Sequence, residues 1–264
     1  MVVTDSLNTV QKYLSRADEN SLVVFDCDDV LTTLAEQLWK PSNREFFHEW
    51  CENNIANYSE QELYDTATFI LMSTDHYLVN DHMPAVVSAL QNKNVKTVVL
   101  TALANKPIAN VGDPVTWRIE TLEKFGYTFW KSWQNLPTTE FTNIKCSYPP
   151  VYRSGVICCG DAPKGESLAK FLDYAKFKPN RVIFIDDLTE QLENVQQMCQ
   201  SHGLEFTGIQ YLEARNIFSK IPFSKERMEY QLQILRQQNI WISDLQAEEI
   251  LRTRFEHEKI QHQQ

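Results

Sequence analysis

Three apolar runs in this 264-residue chain end in groups that handle charge. Leu22-Val23-Val24-Phe25 runs into Asp26-Cys27-Asp28-Asp29, Val95 to Thr101 ends in a hydroxyl, and Arg181 to Asp187 ends in Asp186-Asp187. Lys164, just before a helical pattern, is a fourth such group. Asp26, Asp28 and Asp186 packed together would repel one another unless a hard cation neutralised them, and Mg2+ prefers oxygen ligands. Carboxylates, Mg2+, a lysine and a hydroxyl suit a phosphoryl group: the cation and the lysine offset its charge, and the hydroxyl donates a hydrogen bond. A carboxylate is also a competent nucleophile towards phosphorus, giving an aspartyl-phosphate. A second carboxyl two residues on is spaced to protonate the departing alcohol and then deprotonate the incoming water.

Such groups cooperate only if the fold brings them to one place. A continuous apolar run is what a strand buried on both faces requires, as in a parallel sheet. In such a sheet the ligand crevice lies beyond the carboxyl ends of the strands, where all of these groups would project. Gly155 to Cys159 and Glu205 to Tyr211 are further strand candidates. Between the runs lie helical patterns: Thr4 to Arg16 with Leu7, Val10 and Leu14 on one face, and Asp113-Pro114 through Phe125 with Gly126 past its end. A third, Lys164 to Lys176, sets Leu168, Phe171, Leu172 and Ala175 on one face. Strands alternating with helices predict an α/β fold with a parallel sheet.

Leu34 to His82 breaks this rhythm and reads as a helical insertion, with helices over Arg44 to Cys51 and Ser59 to Met72, Ser59 and Glu62 forming the N-terminal cap. Tyr127 to Tyr152 is irregular, and the tail from Pro222 is helical with a break near Asn239 to Ser243. The expected organisation is a core of 1–33 plus 83–222, an insertion of 34–82, and a helical tail of 223–264 packed on the core.

Composition narrows the function classes. Hydrophobic residues make up 43% and charged residues 23%, which allows a packed core; Gly 7 and Pro 10 exclude collagen-like or low-complexity architecture. Lys+Arg 25 against Asp+Glu 35 leaves a net charge of −10, unsuited to nucleic acid or an anionic membrane. No apolar run approaches a membrane span and the first residues lack signal-peptide order, so a cytoplasmic location is expected, a signal-independent route of secretion aside. Cys27, Cys51, Cys146, Cys158, Cys159 and Cys199 form no CxxC pair and read as reduced thiols; His48 and Cys51 lack a second pair for zinc.

The order VVFDCDDVL, VVLT, PKGESL, VIFIDD resembles the four motifs of the haloacid dehalogenase superfamily of phosphohydrolases. It is particularly close to an uncharacterised bacterial branch whose third motif reads like PKGE and whose fourth reads like IFIDD. The resemblance covers roughly Ser21 to Asn110 minus the insertion, and Gly155 to Gln210. It implies a Rossmann-like parallel core with a helical cap inserted after the first strand. It further implies a Mg2+-dependent phosphatase in which Asp26 is the nucleophile and Asp28 the general acid/base. Thr101, Lys164 and the backbone amide of Ala102 would hold the phosphoryl oxygens. Asp26, the Asp28 carbonyl and Asp186 would take the metal, with Asp187 behind Asp186 or reaching the ion through water. The second Asp of the first motif belongs to the phosphatases of the family and not to its dehalogenases. The expected substrate is a phosphorylated small molecule or a phosphopeptide; the alternatives are a phosphoprotein (phosphotyrosine) phosphatase and a protein that keeps the fold but only binds partners. Substrate identity and oligomeric state are not implied.

Several residues carry a plainer expectation beside the functional one. Asp29 reads as a structural cap, and Asp187 could merely cap the following helix. Lys170 and Lys106 compete with Lys164, and Glu190 could join the metal shell. Cys27, beside several carboxylates, is expected to be no nucleophile. Cys158 and Cys159 read as strand filler. Trp130, Trp133 and Tyr148 form either a substrate wall or a packed satellite cluster. Trp39, Phe46, Phe47 and Trp50 are candidates for a cap-to-core contact.

Overall fold

The computed structural model describes residues 1–40, 43, 45, 46, 49, 53, 60–107, 112–217 and 222–261. Among these the chain runs β1 (Val2–Thr4), α1 (Leu7–Leu14), β2 (Ser21–Phe25), β3 (Thr32–Leu34), α2 (Glu60–Ser73), β4 (His76–Leu78), α3 (Met83–Asn92) and β5 (Lys96–Thr101). It continues through α4 (Pro114–Lys124), β6 (Thr139–Glu140), β7 (Val151–Arg153), β8 (Val156–Cys158), α5 (Lys164–Ala175) and β9 (Arg181–Asp186). It ends with α6 (Thr189–Ser201), β10 (Glu205–Tyr211), α7 (Lys225–Gln238) and α8 (Asp244–Gln261). The fold is α/β around a mostly parallel sheet of order β1-β10-β9-β2-β5-β8-β7-β6. Every pairing from β1 to β8 is parallel, and β7 and β6 extend the sheet antiparallel.

Strand periodicity builds the layers. Successive side chains point to opposite faces, so Val23, Phe25, Val99, Ile183 and Ile185 enter one apolar cluster with Val10 of α1, Val87 of α3 and Leu122 of α4. The alternate residues Leu22, Val24, Val98, Leu100, Val182 and Phe184 enter a second cluster with Leu168 and Phe171 of α5 and Val195 of α6. The middle of β2, β5 and β9 is therefore apolar at successive positions because both faces are covered, and each such side chain contributes about 1.5–3 kcal/mol of burial.

The helices expected from periodicity are present. Leu7, Val10 and Leu14 are buried on α1. Asp113 caps α4 by accepting from the N–H groups of Val115 and Thr116 at 3.3 and 3.4 Å. The break in the tail falls at Asn239, which takes φ +55 between α7 and α8. One boundary differs. Val2–Thr4, partly read into the first helix, is an edge strand paired with Ile209, Gln210 and Tyr211. Its β-branched residues suit a pleated edge, but three residues are too few to show a period. Of the expected helix over 44–51 only 45, 46 and 49 are described, all helical, and the Ser59 cap lies outside the described residues, as do Phe47, His48, Trp50 and Cys51.

The chain divides into two compact units. The first, Met1–Thr33, Ser59–Met72 and Tyr77–Ile217, contains the large sheet and α2; the second is Leu34–Tyr58, Ser73–His76 and Phe218–Gln264. The tail helices group with the segment after β3, and α2 up to Met72 groups with the sheet. Within the second unit the bonds are polar and specific. The Gln37 amide donates to Asp244 Oδ2 at 2.9 Å, the Asp244 amide to Glu36 Oε2 at 2.7 Å, and the Phe46 ring meets Phe223 edge-on at 5.8 Å. No helix among the described residues is long and apolar enough to cross a membrane.

Candidate functional site

Strand register alone brings the first two acids together. Phe25 of β2 lies opposite Ile185 of β9, so the next residue of each strand, Asp26 and Asp186, emerges side by side. The Asp26 amide continues the ladder, donating to Ile185 O at 2.8 Å. On the other side Phe25 pairs with Val99, which puts Thr101 at the same rim of the sheet.

Lys164 arrives from α5. Its helix start is held close to α6 by Gly165, where a Cβ would come within 2.7 Å of the Asn194 carbonyl oxygen, and the Gly165 amide donates to Asn194 Oδ1 at 2.6 Å. Only glycine allows that approach. The buried Lys164 ammonium then donates to Asp26 Oδ1 and to Asp186 Oδ2, each at 2.7 Å. The other oxygen of Asp186 accepts the Leu188 amide at 2.8 Å, which fixes the carboxylate.

Asp187 joins them. One oxygen from each of Asp26, Asp186 and Asp187 lies within 4.8 Å of the others, and all three residues are buried. Asp26 and Asp186 share the single Lys164 ammonium, so two buried carboxylates lean on one cation in a low-dielectric place. Burial pushes Asp26 up to about 7, against the pull of Lys164, and the charges of Asp186 and Asp28 add to the rise. Burial raises Asp186 as well. Burial works against the Lys164 charge, yet Asp186 and Asp26 together hold the ammonium above the ordinary lysine range. The trio could hold a metal ion, and its donors are all oxygen.

Thr101 is buried at the end of β5, and among the described residues its hydroxyl has no hydrogen-bond partner, an uncommon state for an enclosed polar atom. Its carbonyl accepts the Cys159 amide at 2.9 Å, so the backbone is fixed while the hydroxyl is not. Ala102 follows the strand and is exposed.

Asp28 stands apart from the carboxylate trio. Both its oxygens accept from Nη2 of Arg118, at 2.9 and 2.8 Å. Sequence reasoning did not single out Arg118. The signal was there: on α4, Arg118 shares the buried face of Val115 and Leu122, a charge where an apolar residue belongs.

The remaining candidates fall away from the site. Asp29 takes φ +61, its amide donates to Thr32 O at 2.7 Å and its carboxylate accepts from Thr33 Oγ1 at 2.7 Å, so it shapes the turn after β2. Lys106 pairs with Asp65 at 3.2 Å, Lys170 is exposed on α5, and Glu190 is exposed in the first turn of α6. Cys27 is enclosed, and burial pushes its thiol up to about 12, so it offers no thiolate. Trp133 packs edge-on to Phe171 and Phe177 at 4.8 and 5.7 Å and donates to the Thr97 carbonyl. That is the amino-terminal end of β5, about 13 Å along the strand from Thr101, so Trp133 is core. Trp130 is 40% exposed, and Tyr148 lies under the Lys106 ammonium.

The family described as "Protein of unknown function (DUF2608)" matches residues 3–248. A relative from Chlamydia trachomatis serovar D, named "Putative outer membrane protein", is 25% identical over 224 residues, covering 81% of this chain and 78% of the relative. A Chlamydia pneumoniae protein of similar name is 34% identical over 73 residues, 28% of each chain. An uncharacterized protein of Rickettsia prowazekii is 19% identical over 205 residues, covering 77% of this chain and 73% of its own. No solved structure matches the chain.

Proposed function

The chain belongs to the DUF2608 family of proteins of unknown function, and we propose that it is a Mg2+-dependent phosphatase of the haloacid dehalogenase type, hydrolysing a phosphomonoester through a phospho-Asp26 intermediate. The observation that carries this reading is the Lys164 ammonium, 2.7 Å from both Asp26 and Asp186 at the carboxyl ends of adjacent strands. Asp187 completes an all-oxygen donor set, and hard oxygen donors suit magnesium. The unpartnered Thr101 hydroxyl supplies a donor waiting for an acceptor, as a phosphoryl oxygen would be.

In this reading Asp26, Asp186 and Asp187 hold the ion, and bound magnesium would neutralise charge on the phosphoryl oxygens. A carboxylate oxygen of Asp26 forms a bond to phosphorus as the ester P–O bond breaks. Asp28 gives its proton to the departing oxygen, then takes one from a water that attacks the phospho-Asp26. That second displacement releases phosphate and restores the Asp26 carboxylate. Lys164 holds Asp26 in place and offsets charge on the transferring group, and Thr101 donates to it. The substrate is a phosphorylated small molecule or a phosphopeptide.

The test is hydrolysis of 4-nitrophenyl phosphate and of a panel of phosphorylated metabolites and phosphopeptides, with Mg2+ and with chelator. Mg2+-dependent turnover is expected, and Asp26→Asn should abolish it while leaving the circular dichroism spectrum intact. Undiminished turnover in Asp26→Asn removes the mechanism.

A further inference from the structure

Arg118 is an anomaly by packing alone. It is fully enclosed, 0% exposed, on a helix face whose neighbours are apolar. Among the described residues its Nε and Nη1 have no hydrogen-bond partner, and its guanidinium lies 4.9 Å from the Trp117 ring centroid. Enclosing a cation with three of its five N–H donors unused is costly, and a leucine or methionine would fill the space at no such cost. What the arginine does have is Asp28, whose side chain is 40% exposed and whose two oxygens both accept from Nη2. The pair is anchored at the core end and presents a carboxylate to solvent at the other.

The turn that carries Asp28 is fixed in its backbone. The Asp29 amide donates to the Thr32 carbonyl at 2.7 Å, and Leu31 and Thr32 both donate to the Cys27 carbonyl. These bonds do not fix the Asp28 side chain, which could still turn among its rotamers. A proton passes efficiently only to an atom within hydrogen-bond reach, and a misplacement of about 1 Å costs about 10²-fold in rate.

We infer that Arg118 is a positioning residue for the proposed reaction, setting the place of the Asp28 carboxylate from inside the core. This rests on the phosphatase reading above. Proton transfer to the departing oxygen then depends on a residue of α4 that touches neither substrate nor metal. Its loss is felt where the leaving group needs a proton and not where it departs readily without one.

The experiment compares kcat and KM for 4-nitrophenyl phosphate, whose phenolate leaves unaided, with those for phenyl phosphate, which needs the proton more. Wild type, Arg118→Met, Arg118→Lys, Asp28→Asn and the Arg118→Met/Asp28→Asn pair are measured with Mg2+. Arg118→Met should lower kcat on phenyl phosphate about 10²-fold more than on 4-nitrophenyl phosphate, with KM little changed. The double variant should be no worse than Asp28→Asn alone, the mark of residues acting as one. Arg118→Lys keeps the charge and loses the fork, and should show the same selective loss in smaller degree. It also carries the test if the methionine variant fails to fold. Turnover with an unchanged ratio between the esters, or additive losses in the double variant, overturns the assignment and leaves the phosphatase standing. No turnover of either ester by wild type removes the phosphatase and the assignment together.

Discussion

The ammonium of Lys164, the first residue of α5, meets the carboxylate of Asp186, the last of β9, at 2.7 Å with both side chains enclosed. The same ammonium reaches Asp26 at the same distance. One cation therefore holds two strand ends that diverge in sequence by 160 positions, read from their numbers.

Lys164→Met should expose what that cation contributes. The substitution leaves two enclosed carboxylates without their partner, and breaking a buried pair from one side costs about 3–5 kcal/mol. Urea unfolding in chelator should show a loss of that order. A loss below about 1 kcal/mol, the value of a surface pair, would mean that the site is wetter than its burial implies.

Mg2+ should stabilise the folded chain, because a ligand held only by the native state adds about 2.7 kcal/mol at a hundred times its dissociation constant. The rise in melting temperature with added Mg2+ should disappear in Asp186→Asn. An equal rise in that variant would place the ion elsewhere. Asp187→Asn separates a direct ligand, whose loss weakens the effect about as much, from a helix cap, whose loss leaves the Mg2+ response intact.

Thr101→Val removes a hydroxyl that has no partner. An enclosed unpaired hydroxyl is a cost of about 1–3 kcal/mol, so the variant should be at least as stable as wild type. Turnover of a phosphoester should nonetheless fall about 10²-fold, as expected on losing one donor to the transferring group. Destabilisation with unchanged turnover would make Thr101 an ordinary strand residue.

Glu36, in the second unit, gives a pH signature. Burial first, and then the charge of Asp244, raise its folded-state pKa from 4.5 to about 7. Between those values the folded chain binds more protons than the unfolded chain. The contribution is present below pH 4.5 and is lost as pH rises to about 7. The urea midpoint should decline across that window on account of Glu36, and Glu36→Gln should flatten the decline. An unchanged slope in Glu36→Gln would assign it to other groups.

Local pattern carried a good share of the fold. Val182 to Ile185 and Val98 to Leu100 are apolar at every position, as a strand covered on both faces requires, and β10 and α5 span Glu205–Tyr211 and Lys164–Ala175, close to the segments read from the sequence. β1 escaped because three residues at an edge carry too little period. The acids and the lysine were legible for a related reason: each terminates an element, and the ends of parallel strands share one rim.

The chain's own order of residues thus determined which segments are strands, which faces are buried, and that Asp26, Thr101, Lys164 and Asp186 belong to one edge. Tertiary structure alone decided the rest. It drew Asp187 into the carboxylate trio, gave Asp28 to Arg118, moved Trp133 to the far end of β5 and grouped the tail helices with the segment around Glu36. The physical reason is range. Periodicity and burial are properties of neighbours a few residues apart, whereas the partner of a charge is set by how distant elements pack, and nothing local to Asp28 names a guanidinium ninety residues away.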